Sequence, residues 1–163
     1  MPELTHIDQE GRVRMVDVTE KDASDRMAIA QGTISMNAAT FEKIQTHAAE
    51  KGNVLETARI AGIMAAKKTS ELIPMCHPLT ITHVRVDFFP NKTENSIKIK
   101  ATVRIKSQTG VEMEALTAVS VAALTVYDMC KSYDRTMTIS DICLLEKSGG
   151  KSGVFKRTDH HKS

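Results

Sequence analysis

Acids and a base bracket an uncharged run in the segment GVEMEALTAVSVAALTVYDMCK, residues 110–131. Asp128 and Lys131 stand three apart at its far end, adjacent positions on one helical face. At its near end Glu112 and Glu114 flank Met113. Aspartate is rarely fully buried without a partner. Asp128 is therefore either one half of an ion pair with Lys131 or a catalytic group.

Other segments carry chemistry-bearing side chains. In LIPMCHPL, residues 72–79, Cys76 and His77 lie between two prolines that stiffen the backbone. Neighbours in an extended segment point to opposite sides, which argues against a nucleophilic Cys–His pair. His77 reads as a ligand-binding or acid–base group, with a plain loop histidine as the alternative, and Cys76 reads as packing. Arg59 and Lys67 are eight apart, within roughly 80° of each other on a helix, so both can face one ligand. The stretch KSGGKSG beginning at Lys147 resembles the end of a phosphate loop, but that pattern needs a glycine where Leu145 stands and a helix afterwards. What remains is a lysine-bearing loop able to close over an anion, or a solvated tail. His160 and His161, without further ligands nearby in sequence, give no metal assignment.

Composition narrows the classes. The chain has 163 residues, 41% hydrophobic and 26% charged, as expected of one globular domain, 1–163, with a real core. A net charge of +2 and a pI near 8.4 are too mild for a nucleic-acid protein, and local lysines leave small anions open. Only 4% of residues are aromatic and none is Trp, so stacking platforms for single strands are missing. Cys76, Cys130 and Cys143 form neither a disulfide framework nor a zinc spacing, which fits a reducing cytoplasm. The first residues lack the apolar region of a secretory signal. The uncharged run 115–127 is too short for a bilayer, which takes roughly 20 residues, and reads as a core helix.

These groups must be positioned by a predictable set of elements. Residues 4–21 read as an extended arm whose MVDVT stretch alternates like a strand edge, with Asp17 its one buried-acid candidate. Residues 26–36 form a strand. Asn37 then caps a helix running to about Glu50, with Gly52 just beyond it. Asn53, with Glu56 in capping-box position, starts a second helix that ends before Pro74. Residues 81–89 and 96–106 form a hairpin around PNKTEN, the Ala-rich helix follows, and 136–145 supplies the last strand. Residues 148–163 read as a flexible Gly/Ser/Lys loop and polar tail. The order β-α-α-β-β-α-β is an α+β, ferredoxin-like antiparallel sheet packed on helices, with an extra helix in the first crossover.

Five blocks together, MVDVT at Met15, TARIAGIMAAKKT at Thr57, LIPMCHPL at Leu72, GVEMEALTAVSVAALTVYDMCK at Gly110 and LLEKSGGKSG at Leu144, closely resemble the MoaC family. The match runs in register over nearly the whole chain. Met75 departs from the family's usual Leu, Ser70 falls in a variable corner, and residues 21–36 and the tail match too weakly to carry a site.

The resemblance implies a soluble cytoplasmic lyase of molybdenum cofactor (molybdopterin) biosynthesis. Its substrate would be 3′,8-cyclo-7,8-dihydroguanosine 5′-triphosphate, converted to cyclic pyranopterin monophosphate with release of pyrophosphate. Assembly as a homohexamer, a trimer of dimers with sites at the dimer interfaces, is implied too, as is a functional link to an upstream radical GTP cyclase. No redox cofactor is implied, Mg²⁺ assistance with the triphosphate is not indicated, and neither nucleic acid nor membrane is a partner. By position, the family's catalytic residues fall on Asp128, Lys131, Lys51, Lys67 and Lys147. Substrate contacts fall on Met75, Cys76, His77, Met113 and Glu114, and Asp17 and Glu112 lie on family motifs as well. The rival expectation is a non-catalytic nucleotide-binding module using the same sheet and lysines.

Overall fold

Alternation of side chains makes the first strand two-faced: in β1 (Ser24–Ser35) Ala28, Ala30 and Ile34 are buried, while Met27, Ile29, Gln31 and Thr33 between them are partly exposed. The computed structural model describes residues 6–158, so the histidine pair at 160 and 161 lies outside the described residues. After β1, Asn37 caps α1 (Ala38–Gln45), its side-chain oxygen accepting the Thr40 N–H at 2.8 Å. The helix stops earlier than expected. The Thr46 hydroxyl bonds back to the Glu42 carbonyl at 2.8 Å, and His47 takes a left-handed φ of 55°, so residues 46–52 are a loop. Gly52, with φ 93°, closes that loop by donating to the Ala49 carbonyl.

Asn53 caps α2 (Val54–Lys67) by accepting the Glu56 N–H at 3.1 Å. Glu56 pairs with Arg59 at 3.1 Å instead of returning to the cap. A break at Lys68 separates α2 from the single turn α3 (Thr69–Leu72). β2 (His83–Asn91) and β3 (Ser96–Ser107) form the hairpin, with Asn95 at φ 46° in the turn. Pro90 pairs opposite Ile97 because β2 is an edge strand, where a missing N–H costs no ladder bond. Then come α4 (Glu112–Cys130), β4 (Thr138–Ser148) and β5 (Phe155–Lys156). The last two differ from expectation. β4 continues through Lys147, and part of the presumed tail pairs with it, Lys156 opposite Glu146.

The sheet order is β2-β3-β1-β4-β5, antiparallel at every pairing, which is the ferredoxin-like plan with one added edge strand. Among the described residues, α2 and α4 pack on each other and on one face of the sheet, over Ala28, Ala30, Ile34, Ile97, Ile99 and Val103. Close approach depends on two glycines. A Cβ on Gly32 would sit 2.7 Å from Val119 Cγ1, and one on Gly62 2.9 Å from the Ala118 carbonyl oxygen. The small hydroxyls of α4 bond inside the helix, Ser120 to the Leu116 carbonyl and Thr125 to that of Val121, both at 2.8 Å.

The arm does not form a strand at 15–19; among the described residues its one pairing is an isolated bridge between Ile7 and Val13. Asp17 is not buried either. It is exposed and accepts the Thr19 hydroxyl at 2.6 Å and N–H at 2.9 Å, a local turn that needs no burial to be stable.

Candidate functional site

The long α4 carries chemistry at both ends, and the fold supplies each end with different neighbours. At its N-terminus a cavity of about 340 Å³ is lined by Met75, Cys76, His77, Glu112, Met113, Glu114 and Lys147, all expected from the sequence. Lys147 gets there because β4 runs long. It pairs opposite Ala28, whose side chain faces the helices, and so reaches Glu112, with Nζ donating to Oε1 at 2.8 Å. Glu112 and Glu114 occupy the first turn of α4, where the helix dipole favours negative charge.

Cys76 and His77 both belong to the cavity lining. The chain turns at Pro74, with the Cys76 N–H bonded to the Ile73 carbonyl, and the turn brings this segment to the cavity wall. His77 Nε2 donates to the Val16 carbonyl at 2.7 Å, which fixes the ring's orientation against the arm. The arm thus serves the site through Val16 and Val18, while Asp17 between them does not line the cavity.

Glu114 is the most perturbed acid here. Its pKa is raised from 4.5 to about 7, chiefly by burial, with its backbone N–H pulling the other way and the neighbouring Glu112 charge adding to the rise. It is 4% exposed and is poised to gain or lose a proton near neutrality. Burial, then the Glu114 charge, pushes the Cys76 thiol up, so Cys76 is a poor nucleophile that packs against the ligand space.

Two cations in the cavity were missed by sequence reading: Lys21 and Arg26. Arg26 had a signal. It shares strand parity with the buried Ala28 and Ala30, so a full charge occurs on the inward face of β1. Its Nε and Nη2 donate to the Ser107 and Gln108 carbonyls at 3.3 and 3.1 Å, and Gly149 and Gly150, at φ 96° and 76°, lie against it where any Cβ would collide. Lys21, in an irregular polar stretch, had none.

The other cluster sits at the C-terminus of α4. Lys131 Nζ lies 2.7 Å from Asp128 Oδ1, the ion pair that spacing three apart allows. Lys51, on the 46–52 loop, donates to the Asp128 main-chain carbonyl at 3.2 Å. The Lys131 hydrogen bond and charge, followed by the Lys51 charge, hold the Asp128 carboxyl below the usual range. Both Asp128 and Lys131 are exposed, so the pair contributes little to stability and faces whatever binds there.

Arg59 and Lys67 do not converge. Arg59 turns to β2, bonding the Val86 carbonyl and lying 3.9 Å from Asp87, with its guanidinium 5.3 Å from the Phe88 ring centroid. Lys67 is exposed in the last turn of α2 and does not line the cavity. Among the described residues no three His, Cys, Asp or Glu side chains gather as a metal ion would need.

Sixteen residues of helix separate Glu112 from Asp128, a rise of roughly 24 Å. The two clusters therefore lie at opposite ends of α4 and do not share one pocket within the chain. Cations set beside a neutral-range acid, on a ferredoxin-like sheet, are the groups needed to hold a small anion and to exchange a proton beside it.

The chain belongs to the MoaC family, whose model matches residues 15–150. A cyclic pyranopterin monophosphate synthase from Desulforapulum autotrophicum is 64% identical to it over 155 residues, 95% of each chain. Proteins of the same name are 58% identical in Desulfitobacterium hafniense, over 99% of this chain and 98% of that one, and 55% identical in Thermomicrobium roseum, over 98% and 96%.

Proposed function

We propose that this chain is a cytoplasmic lyase that converts 3′,8-cyclo-7,8-dihydroguanosine 5′-triphosphate to cyclic pyranopterin monophosphate and pyrophosphate, within molybdenum cofactor biosynthesis. The observation that carries this is the convergence of Lys21, Arg26 and Lys147 on one cavity that also holds Glu112, Glu114 and His77. Three cations from separate elements suit a folded-back triphosphate, and charge-assisted bonds from Arg and Lys are the strong way to hold it. The names of the highly similar relatives support the same reaction.

In the chemical steps, purine-ring opening and reclosure need proton transfers at nitrogen and carbon. Lys131, held by Asp128 and beside Lys51, supplies or takes a proton. Glu114 and His77 serve the other end of the substrate. Closing the cyclic phosphate forms a bond from the α-phosphorus to a sugar-derived oxygen and breaks its bond to the β-phosphate, releasing pyrophosphate. Arg26 and Lys147 neutralise that leaving group.

Because the two clusters of one chain, each read as a half-site, are far apart, a complete pocket joins the N-terminal cluster of one subunit to the C-terminal cluster of another. A homohexamer made as a trimer of dimers satisfies this at each dimer interface. Single domain organisation and receipt of the substrate from an upstream radical GTP cyclase complete the reading.

Incubating the protein with the cyclic dihydro-GTP tests it. Stoichiometric pyrophosphate and a product oxidisable to a fluorescent pterin are expected. Tight binding without turnover would instead make the chain a nucleotide-binding module.

A further inference from the structure

The turn after α4 does more than end the helix. Asp134, buried in that turn, accepts the Asn37 backbone N–H at 2.8 Å through one oxygen, fixing where α1 begins. Its other oxygen takes the Thr136 N–H and hydroxyl at 2.8 and 2.6 Å. Tyr133, next to it, reaches the far side of α1: its hydroxyl oxygen accepts the Glu50 N–H at 2.8 Å. Glu50 directly precedes Lys51. The Tyr133 ring packs against the core, and the Lys43 ammonium of α1 lies 4.9 Å from its centroid, so the ring is itself braced.

A single turn thus carries Lys131 at its start and grips the loop of Lys51 two residues later. Lysine has a long, flexible stem, and an ammonium is placed only as well as the backbone beneath it. The 46–52 loop has no regular structure to hold it, and His47 and Gly52 both sit at positive φ.

We propose that Tyr133 is a positioning residue whose hydroxyl sets the 46–52 loop so that Lys51 stays against Asp128 and beside Lys131. The inference rests on the catalytic reading of Lys51 and Lys131 given above. Its energetic signature is unusual. The Glu50 N–H is exposed, so water takes over when the hydroxyl is removed and the fold loses little. Misplacement of Lys51 by an ångström, in contrast, is costly to a proton-transfer step.

The test is Tyr133→Phe in the assembled enzyme, measured alone and combined with Lys51→Ala, by single turnover at excess enzyme where rates are slow. Tyr133→Phe should lower kcat on the order of 10- to 100-fold with KM and Tm nearly unchanged, and raise amide hydrogen exchange in residues 46–52 alone. In the Lys51→Ala background it should cause no further loss. An equal fractional loss in both backgrounds, or an undiminished kcat in Tyr133→Phe, overturns the positioning role. Wild-type turnover by Lys51→Ala alone removes the catalytic reading beneath it, a distinct failure.

Discussion

Lys51 Nζ donates to the main-chain carbonyl of Asp128 in the same subunit, at 3.2 Å. Lys51 and Lys131 therefore share one cluster around Asp128 within a single chain. On the proposed shared pocket, the contact predicts which pairs of inactive subunits complement each other. Lys51→Ala mixed with Lys131→Ala should stay inactive, since every pocket receives one damaged C-terminal cluster. Lys131→Ala mixed with His77→Ala should recover about a quarter of wild-type activity after random exchange, because half the dimers are mixed and each holds one intact pocket. Activity assays after confirmed subunit exchange decide it, and recovery by the first mixture would place Lys51 and Lys131 in different half-sites.

Asp128→Asn and Lys131→Ala should each cut kcat about 10²–10⁴-fold, the usual worth of a proton-transfer group. Both side chains are exposed, so Tm and assembly should hold. Near-normal turnover by either variant would reduce the pair to a surface ion pair.

The sheet and its helices were legible in the sequence because β1 and β3 alternate cleanly and Asn37 and Asn53 do cap helices. Ends were less so. A back-bonding Thr46 and a left-handed His47 ended α1 where apolar spacing continued, and chain-order patterns do not record such local hydrogen bonds. The N-terminal cluster was readable as a group on family blocks, yet Lys21 was invisible and Arg26 was passed over despite its inward parity on β1. Asp17 differs in one respect: its alternating neighbours suggested burial, but it is exposed, accepting the Thr19 hydroxyl and feeling the His77 charge. Which groups share a pocket depends on the length of α4, a property of the folded helix rather than of any motif.

Glu114 should give stability a pH dependence of its own. Its folded pKa of about 7 lies above the ordinary 4.5, so the folded state binds the proton more tightly. That contribution is fully present below pH 4.5 and fades as pH rises through 7, by on the order of 3 kcal/mol in all. Glu114→Gln removes it. The variant's Tm should therefore gain on wild type steadily between pH 5 and 8, and a constant difference across that range would mean that Glu114 is already ionised at pH 5.

Gly150 lies against the Arg26 guanidinium at φ 76°, and a Cβ added there would meet Nη1. Gly150→Ala should therefore push Arg26 away from the Ser107 and Gln108 carbonyls that aim it into the cavity. Backbone strain alone, about 1–2 kcal/mol for a left-handed residue, would confuse the result. Gly153→Ala separates the two effects. Gly153 has a similar φ of 68° but nothing within 4 Å of an added Cβ, so it carries the strain without touching Arg26. KM for the triphosphate, and the dissociation constant for pyrophosphate by calorimetry, should rise about tenfold in Gly150→Ala, the worth of one weakened charge-assisted contact of roughly 1.5 kcal/mol. In Gly153→Ala both should stay near wild type. Equal effects from the two variants would assign the loss to the loop's backbone and take Arg26 out of phosphate binding.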